Sequence, residues 1–221
     1  MHKVLIGRRD PEMEVKVRNI ADKTRRIFMK YGIRSVSMDD ISRELGMSKK
    51  TLYQHFMNKS DLVHRVLQCN YNEFQEKVAE IFRENQNAID DLLSISLIID
   101  KNLKDVNLAV TFDLQKYYPE LYREFLDRKR RFTSDYLKQN IEKGKKENIY
   151  RQDLNVELIA KMYVQQMEDM HDPSFYDKDA ISFSEVFKVM FENHIRGIAN
   201  ENGIKYFEER KRTLNSQTED V

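Results

Sequence analysis

Apolar side chains recur along this chain at intervals of three and four residues, the repeat of one face of an α-helix. Ile20, Thr24, Ile27, Phe28 and Tyr31 form one such stripe, predicting a helix over Val17–Tyr31 that Gly32 ends. Ile41 with Leu45, and Leu52 with Phe56, mark two short helices. Leu67, Tyr71, Phe74, Val78 and Ile81 then keep a four-three-four-three spacing in a helix predicted from Asn58 to about Asn85, ~40 Å long. Further helices are expected over residues 87–105, 107–117, 119–147, 155–171 and 183–200, and only six glycines and three prolines occur in the chain. The pattern predicts an all-α protein with a short three-helix head and a larger helical body. The organisation expected is a flexible arm over 1–14, a head over 15–59, a body over 60–203 and a charged, mobile tail over 204–221.

The punctuation of the head makes it a helix-turn-helix. Ser37 suits an N-cap and Asp40, three positions on, completes a capping box. Gly46 stops the first short helix, and Ser48 caps the second. With Leu52 and Phe56 turned inward, Lys50, Tyr53 and Gln54 share the outward face of that second helix, and Lys49 lies beside them. The chemistry of that ridge suits duplex DNA. Ammonium groups attract phosphates, lysine donates to guanine O6 and N7, and Gln54 pairs with adenine N6 and N7. An ordinary amphipathic helix with a solvated polar face has the same composition, so the ridge alone does not decide.

The ordered string does more. GMSKKTLYQHFMNKSDLV, preceded by Phe28, Tyr31-Gly32, Val36-Ser37-Met38 and Asp40-Ile41, closely resembles the DNA-binding signature of the tetracycline-repressor (TetR) family over roughly residues 18–67. The resemblance implies a helix-turn-helix domain followed by a ligand-binding and dimerisation domain, acting as a repressor on a palindromic operator in double-stranded DNA. It implies that Ser37 and Ser48 cap helices and donate to phosphates, and that Lys49, Lys50 and Tyr53 face the major groove. Thr51, Gln54 and His55 then make or support backbone contacts, and Lys59 meets a phosphate at the mouth of the next helix. One position departs: many members carry glycine where Lys50 stands, so a half-site preference shifted toward guanine is expected. The resemblance also implies a homodimer through the last two helices and a small-molecule effector in the body, with Phe112, Tyr117, Tyr118, Tyr122, Phe125 and Tyr163 as candidate wall residues. Plain core is the commoner fate of any one of them.

Charge adds an asymmetry that the net value of +1 conceals. Residues 1–59 carry a net +7 and the remainder a net −6, as expected if only one end approaches DNA. Arg8 and Arg9 in the arm could follow a DNA backbone, although an unstructured tail is the commoner account of such a segment. The single cysteine, Cys69, excludes an intrachain disulfide and gives no zinc spacing. No apolar run approaches a membrane span, and the opening residues are too short of apolar character for a signal peptide. A cytoplasmic protein without cofactor or metal follows. The same residues admit two rival readings. A helical-bundle di-iron enzyme needs two Glu-x-x-His pairs; Glu168-x-x-His171 is one, and Asp61-x-x-His64 only a distant cousin. An adaptor whose head no longer binds DNA is the other, and the intact cationic ridge argues against it.

Overall fold

A computed structural model describes residues 11–84, 86–104, 107–170 and 182–219. Among them run ten α-helices: α1 (Pro11–Tyr31), α2 (Met38–Glu44), α3 (Lys49–His55), α4 (Lys59–Arg83), α5 (Ala88–Lys104), α6 (Leu108–Tyr117), α7 (Pro119–Lys146), α8 (Val156–Asp169), α9 (Phe183–Ile198) and α10 (Glu201–Glu219). The all-α expectation is met. Helix starts follow local chemistry: Ser37, Ser48, Asn107, Asn155 and Ser182 each accept a hydrogen bond from a backbone N–H of the first turn. Gly46, at φ 65°, supplies the left-handed turn between α2 and α3.

Three expectations about the ends need correction. α1 begins at Pro11, where proline's missing N–H costs nothing, so residues 11–14 belong to a helix and not to an arm. Arg8 and Arg9 lie outside the described residues, as does the loop with Asp172-Pro173. Residues 204–219, expected as a mobile tail, instead belong to α10. Lastly, Gly144 sits inside α7, packed beneath the Tyr150 ring, and the chain turns out of the helix at Asn148, φ 57°.

The chain divides into two compact units. The first comprises residues 1–76 and 107–126. Its core joins Ile20, Ile27 and Phe28 of α1 to Ile41 of α2, Leu52 of α3, Phe56 and Leu62, with Leu114 of α6. Val110, Tyr118, Leu121 and Tyr122 pack on it from outside.

The second unit comprises residues 77–106 and 127–221. There the start of α5 is anchored by polar groups. Glu147 Oε2 accepts from the Ala88 N–H at 2.8 Å, and Asn140 donates to the Ala88 carbonyl at 2.8 Å. The Tyr150 hydroxyl donates to Asn140 Oδ1 at 3.1 Å. α10 joins the same region: Tyr206 and Arg210 both donate to Asp90, Lys211 pairs with Glu192 of α9 at 2.5 Å, and Phe207 is buried. Gly203 lets α10 approach, because a methyl there would fall on the Ile149 carbonyl oxygen. Gly203→Ala is therefore expected to destabilise the protein by ~1–3 kcal/mol, the usual cost of overpacking against backbone. A melting temperature equal to that of the native chain would show that α10 yields freely.

Candidate nucleic-acid interface

The recognition ridge rests on a short helix with one buried side. Leu52 is fully buried and Phe56, at the end of α3, is 1 % exposed. With those two fixed inward, the 3.6-residue repeat leaves Lys50, Tyr53 and Gln54 exposed together, Tyr53 with 44 % of its surface in solvent. Met57 extends the exposed surface beyond the helix.

The remaining predicted site residues are occupied within the head. Ser37 Oγ accepts from the Asp40 N–H at 3.2 Å and donates to Asp40 Oδ2 at 2.6 Å, which holds the Asp40 carboxyl below its ordinary pKa. Ser48 Oγ accepts from the Thr51 N–H at 3.0 Å and lies 2.8 Å from the Thr51 hydroxyl. Lys49 makes an exposed ion pair with Asp39 of α2 at 2.7 Å, which raises its pKa. His55 is half-buried against the Phe56 ring, with its Nδ1 turned inside and unpartnered. Lys59 folds its ammonium back onto the α1–α2 connection, donating to the carbonyls of Val36 and Arg34. Burial there lowers its pKa, against the pull of Asp113 and Asp40. Lys49, Lys50, Tyr53 and Gln54 thus share one accessible face, while Ser37, Ser48, Thr51, His55 and Lys59 brace the helices around it.

Residues 20–66 match the family model for bacterial regulatory proteins of the tetR family, a span holding α2, α3 and this entire ridge. The chain belongs to the TetR family. It is a TetR-family helix-turn-helix transcriptional regulator. It is 22 % identical over 185 residues to the uncharacterized HTH-type transcriptional regulator YvaF of Bacillus subtilis, an alignment covering 82 % of this chain and 94 % of that one. Its fold is similar to that of a TetR-family regulator from Agrobacterium tumefaciens, with a TM-score of 0.65 at 19 % identity over 85 % of this chain and 100 % of that one. It is similar also to AibR, solved in complex with isovaleryl coenzyme A and operator DNA, with a TM-score of 0.54 at 15 % identity over 80 % of this chain and 97 % of that one.

Two supports of this TetR-family head come from distant sequence and escaped the sequence reading. Asp113 on α6 accepts from the Arg34 N–H at 2.8 Å, and Asn107 donates to the Met29 carbonyl at 2.8 Å. The Arg34 guanidinium also lies 4.3 Å over the Tyr117 ring. They fix the last turn of α1 and the loop between α1 and α2, whose Arg34 and Val36 carbonyls in turn hold Lys59. No local pattern announces such contacts, since 79 residues separate Arg34 from Asp113. Of the aromatic residues considered as cavity walls, Phe112 is exposed to 54 % and Tyr117 to 36 % on the first unit. Phe125 meets Tyr71 edge-on in the same unit, and Tyr163 is buried in the second. Glu168 accepts a forked pair of bonds from Arg130, while His171 lies outside the described residues. Among the described residues no group of His, Cys, Asp and Glu has the form of a metal site. Nor, among the described residues, is any helix long and apolar enough to cross a membrane.

Proposed function

We propose that the protein is a ligand-responsive repressor that binds a palindromic operator as a homodimer through α8 and α9. The observation that carries the DNA-binding part is the accessible row Lys50, Tyr53 and Gln54 on a helix whose opposite face is locked by Leu52 and Phe56. One such row spans only a few base pairs. A two-fold pair placed about one turn of duplex apart, ~34–36 Å, reads both halves of a palindrome. Support for pairing lies in α8 and α9, where Leu158 and Met162, four residues apart, are 56 % and 62 % exposed and Val189 is 62 % exposed. Apolar groups this bare on two helices that also bury Tyr163 and Phe187 suit a second copy. AibR binds both operator DNA and a small molecule, which supports an effector here.

In this reading Lys49 trades Asp39 for a phosphate or base, an inexpensive exchange because exposed ion pairs are weak in water. Thr51, Gln54 and His55 support the backbone contacts, and Ser37 and Ser48 hold the helix ends at the phosphates. Lys59 keeps two N–H groups on the loop carbonyls and offers its third to a phosphate at the start of α4, where the helix dipole adds favourable field.

Selection of bound sequences from random DNA gives the operator and tests the palindrome. On that operator Lys50→Ala is expected to relax preference at one base position, with ~1–3 kcal/mol of discrimination lost. Lys59→Ala is expected to weaken all sequences alike and to reduce the salt dependence of binding by about one phosphate contact. If both substitutions scaled affinity equally on every sequence, the division between base reader and phosphate anchor would be wrong.

A further inference from the structure

Arg34 and Lys116 are cations of the first unit that end on aromatic rings and not on carboxylates. The Arg34 guanidinium lies 4.3 Å over the Tyr117 ring. The Lys116 ammonium stands 5.6 Å from the same ring and 5.2 Å from that of Phe112. Both side chains and both rings are exposed. Two charges sharing one ring lie within about one Debye length at 0.1 M salt, ~10 Å, so they act together on whatever approaches.

Other cations of this unit are engaged. Arg18 meets Glu76 at 3.2 Å, Arg43 meets Asp40 at 3.6 Å, Lys49 meets Asp39 at 2.7 Å and Arg25 donates to Asn70 at 3.2 Å. Asp113 adjoins Phe112 on α6, yet it is buried and accepts from the Arg34 backbone N–H at 2.8 Å. Among the described residues, neither the Arg34 nor the Lys116 side chain makes a hydrogen bond or an ion pair. An aromatic face attracts a cation but leaves its N–H donors open.

The pair adjoins the DNA-facing part of the head. The Arg34 carbonyl is one of the two that hold the Lys59 ammonium, and Ser37 follows three residues on. Lys59, Arg34 and Lys116 are thus successive points on one surface, which suits a row of anions better than a single one. Duplex DNA is such a row, with one negative charge per ~1.7 Å of its axis. Lys116 belongs to α6, beyond the residues 20–66 that match the family model.

We propose that Arg34 and Lys116, held over Tyr117, form a second DNA contact outside the helix-turn-helix, on the phosphate backbone beside the phosphate met by Lys59. This rests on the DNA-binding reading above. The contact reads no bases, so it strengthens binding to every sequence alike.

The experiment measures affinity for the selected operator and for random DNA between ~50 and ~200 mM salt. It compares the native chain with Arg34→Gln/Lys116→Gln and with Lys146→Gln/Lys205→Gln, which loses the same charge from exposed positions of the second unit. For the first variant the log–log salt slope is expected to be shallower by about two phosphate contacts, ~0.9 each, with affinity lowered on the order of tenfold on both DNAs. Lys116→Gln alone, whose side chain holds no hydrogen bond, gives half the change and serves if the double variant folds poorly. The charge-matched control keeps the native slope. A native slope in both Arg34 and Lys116 variants, or an equal change in the control, would overturn the contact, as would a loss confined to the operator. Binding of polyglutamate that the double variant loses, with its DNA slope unchanged, would assign the surface to an acidic protein instead. A native chain that selects no sequence from random DNA refutes the DNA-binding reading itself. Operator selection with a native slope in the variants refutes this contact alone.

Discussion

Replacing Phe56 by alanine is expected to abolish DNA binding before it disturbs the second unit. The ring is 1 % exposed and lies in the core that ties α3 to α1, α2 and α4. Truncating a buried phenylalanine costs ~3–5 kcal/mol, counting both lost burial and the cavity left behind. That is a large share of the ~5–15 kcal/mol by which a domain is stable. α3 is only seven residues long and has no independent stability. Once its inner face is loosened, Lys50, Tyr53 and Gln54 no longer stand in a fixed row. Amide exchange followed by mass spectrometry checks this, with protection falling first in peptides from residues 20–66. Normal operator binding with α3 still protected would show that the row is held by something other than this ring.

Acidification is expected to destabilise the second unit through His194. Its folded pKa is about 4, well below the ordinary 6.5, and burial is the cause. Because the folded value is depressed, the unfolded chain binds the proton more readily between those two values. The imidazole imposes no penalty above pH 6.5, an increasing one as pH falls toward 4, and a constant one below that. The shift corresponds to ~3 kcal/mol over the window. Melting curves from pH 7 to pH 4 check it, and His194→Gln is expected to flatten that part of the profile. A native profile as flat as the variant's would mean that His194 protonates freely in the fold. Asp91 pulls the other way. Its pKa is raised, mainly by burial and against the hydrogen bond and charge of Lys143, so protonating it is favoured in the folded chain. The His194→Gln comparison isolates the histidine from that background.

The head was legible because its signals are local. Ser37 with Asp40, Gly46, Ser48 and the Leu52–Phe56 pair each act within four residues, and each performs in the structure as its chemistry dictates. What escaped was tertiary. That Lys49 turns to Asp39 and Lys59 to the Val36 carbonyl depends on how α2, α3 and α4 pack, and charge patterning cannot show it. α10 escaped for a different reason. Its buried large side chain is Phe207, and its attachments to Asp90 and Glu192 are made by the polar or charged Tyr206, Arg210 and Lys211, so the segment looks solvated throughout. Gly203 carries no local signal that it is an approach point for the Ile149 backbone. The gathering of Arg34 and Lys116 over the Tyr117 ring could not be foreseen either, since α6 is far from Arg34 in sequence.

The contacts of α6 bear on how this regulator is made. Asp113 and Asn107 satisfy the Arg34 amide and the Met29 carbonyl, and Leu114 seals the core beside Phe28 and Leu62. A fragment cut after Glu76 would therefore carry the whole helix-turn-helix and still lack part of its own interior. On the ribosome the same topology imposes an order of events. The DNA-reading end emerges early but completes its packing only after α6 and the first turns of α7 have followed, with all of α5 threaded between, so nascent chains carry an unfinished reading surface for about fifty residues of synthesis.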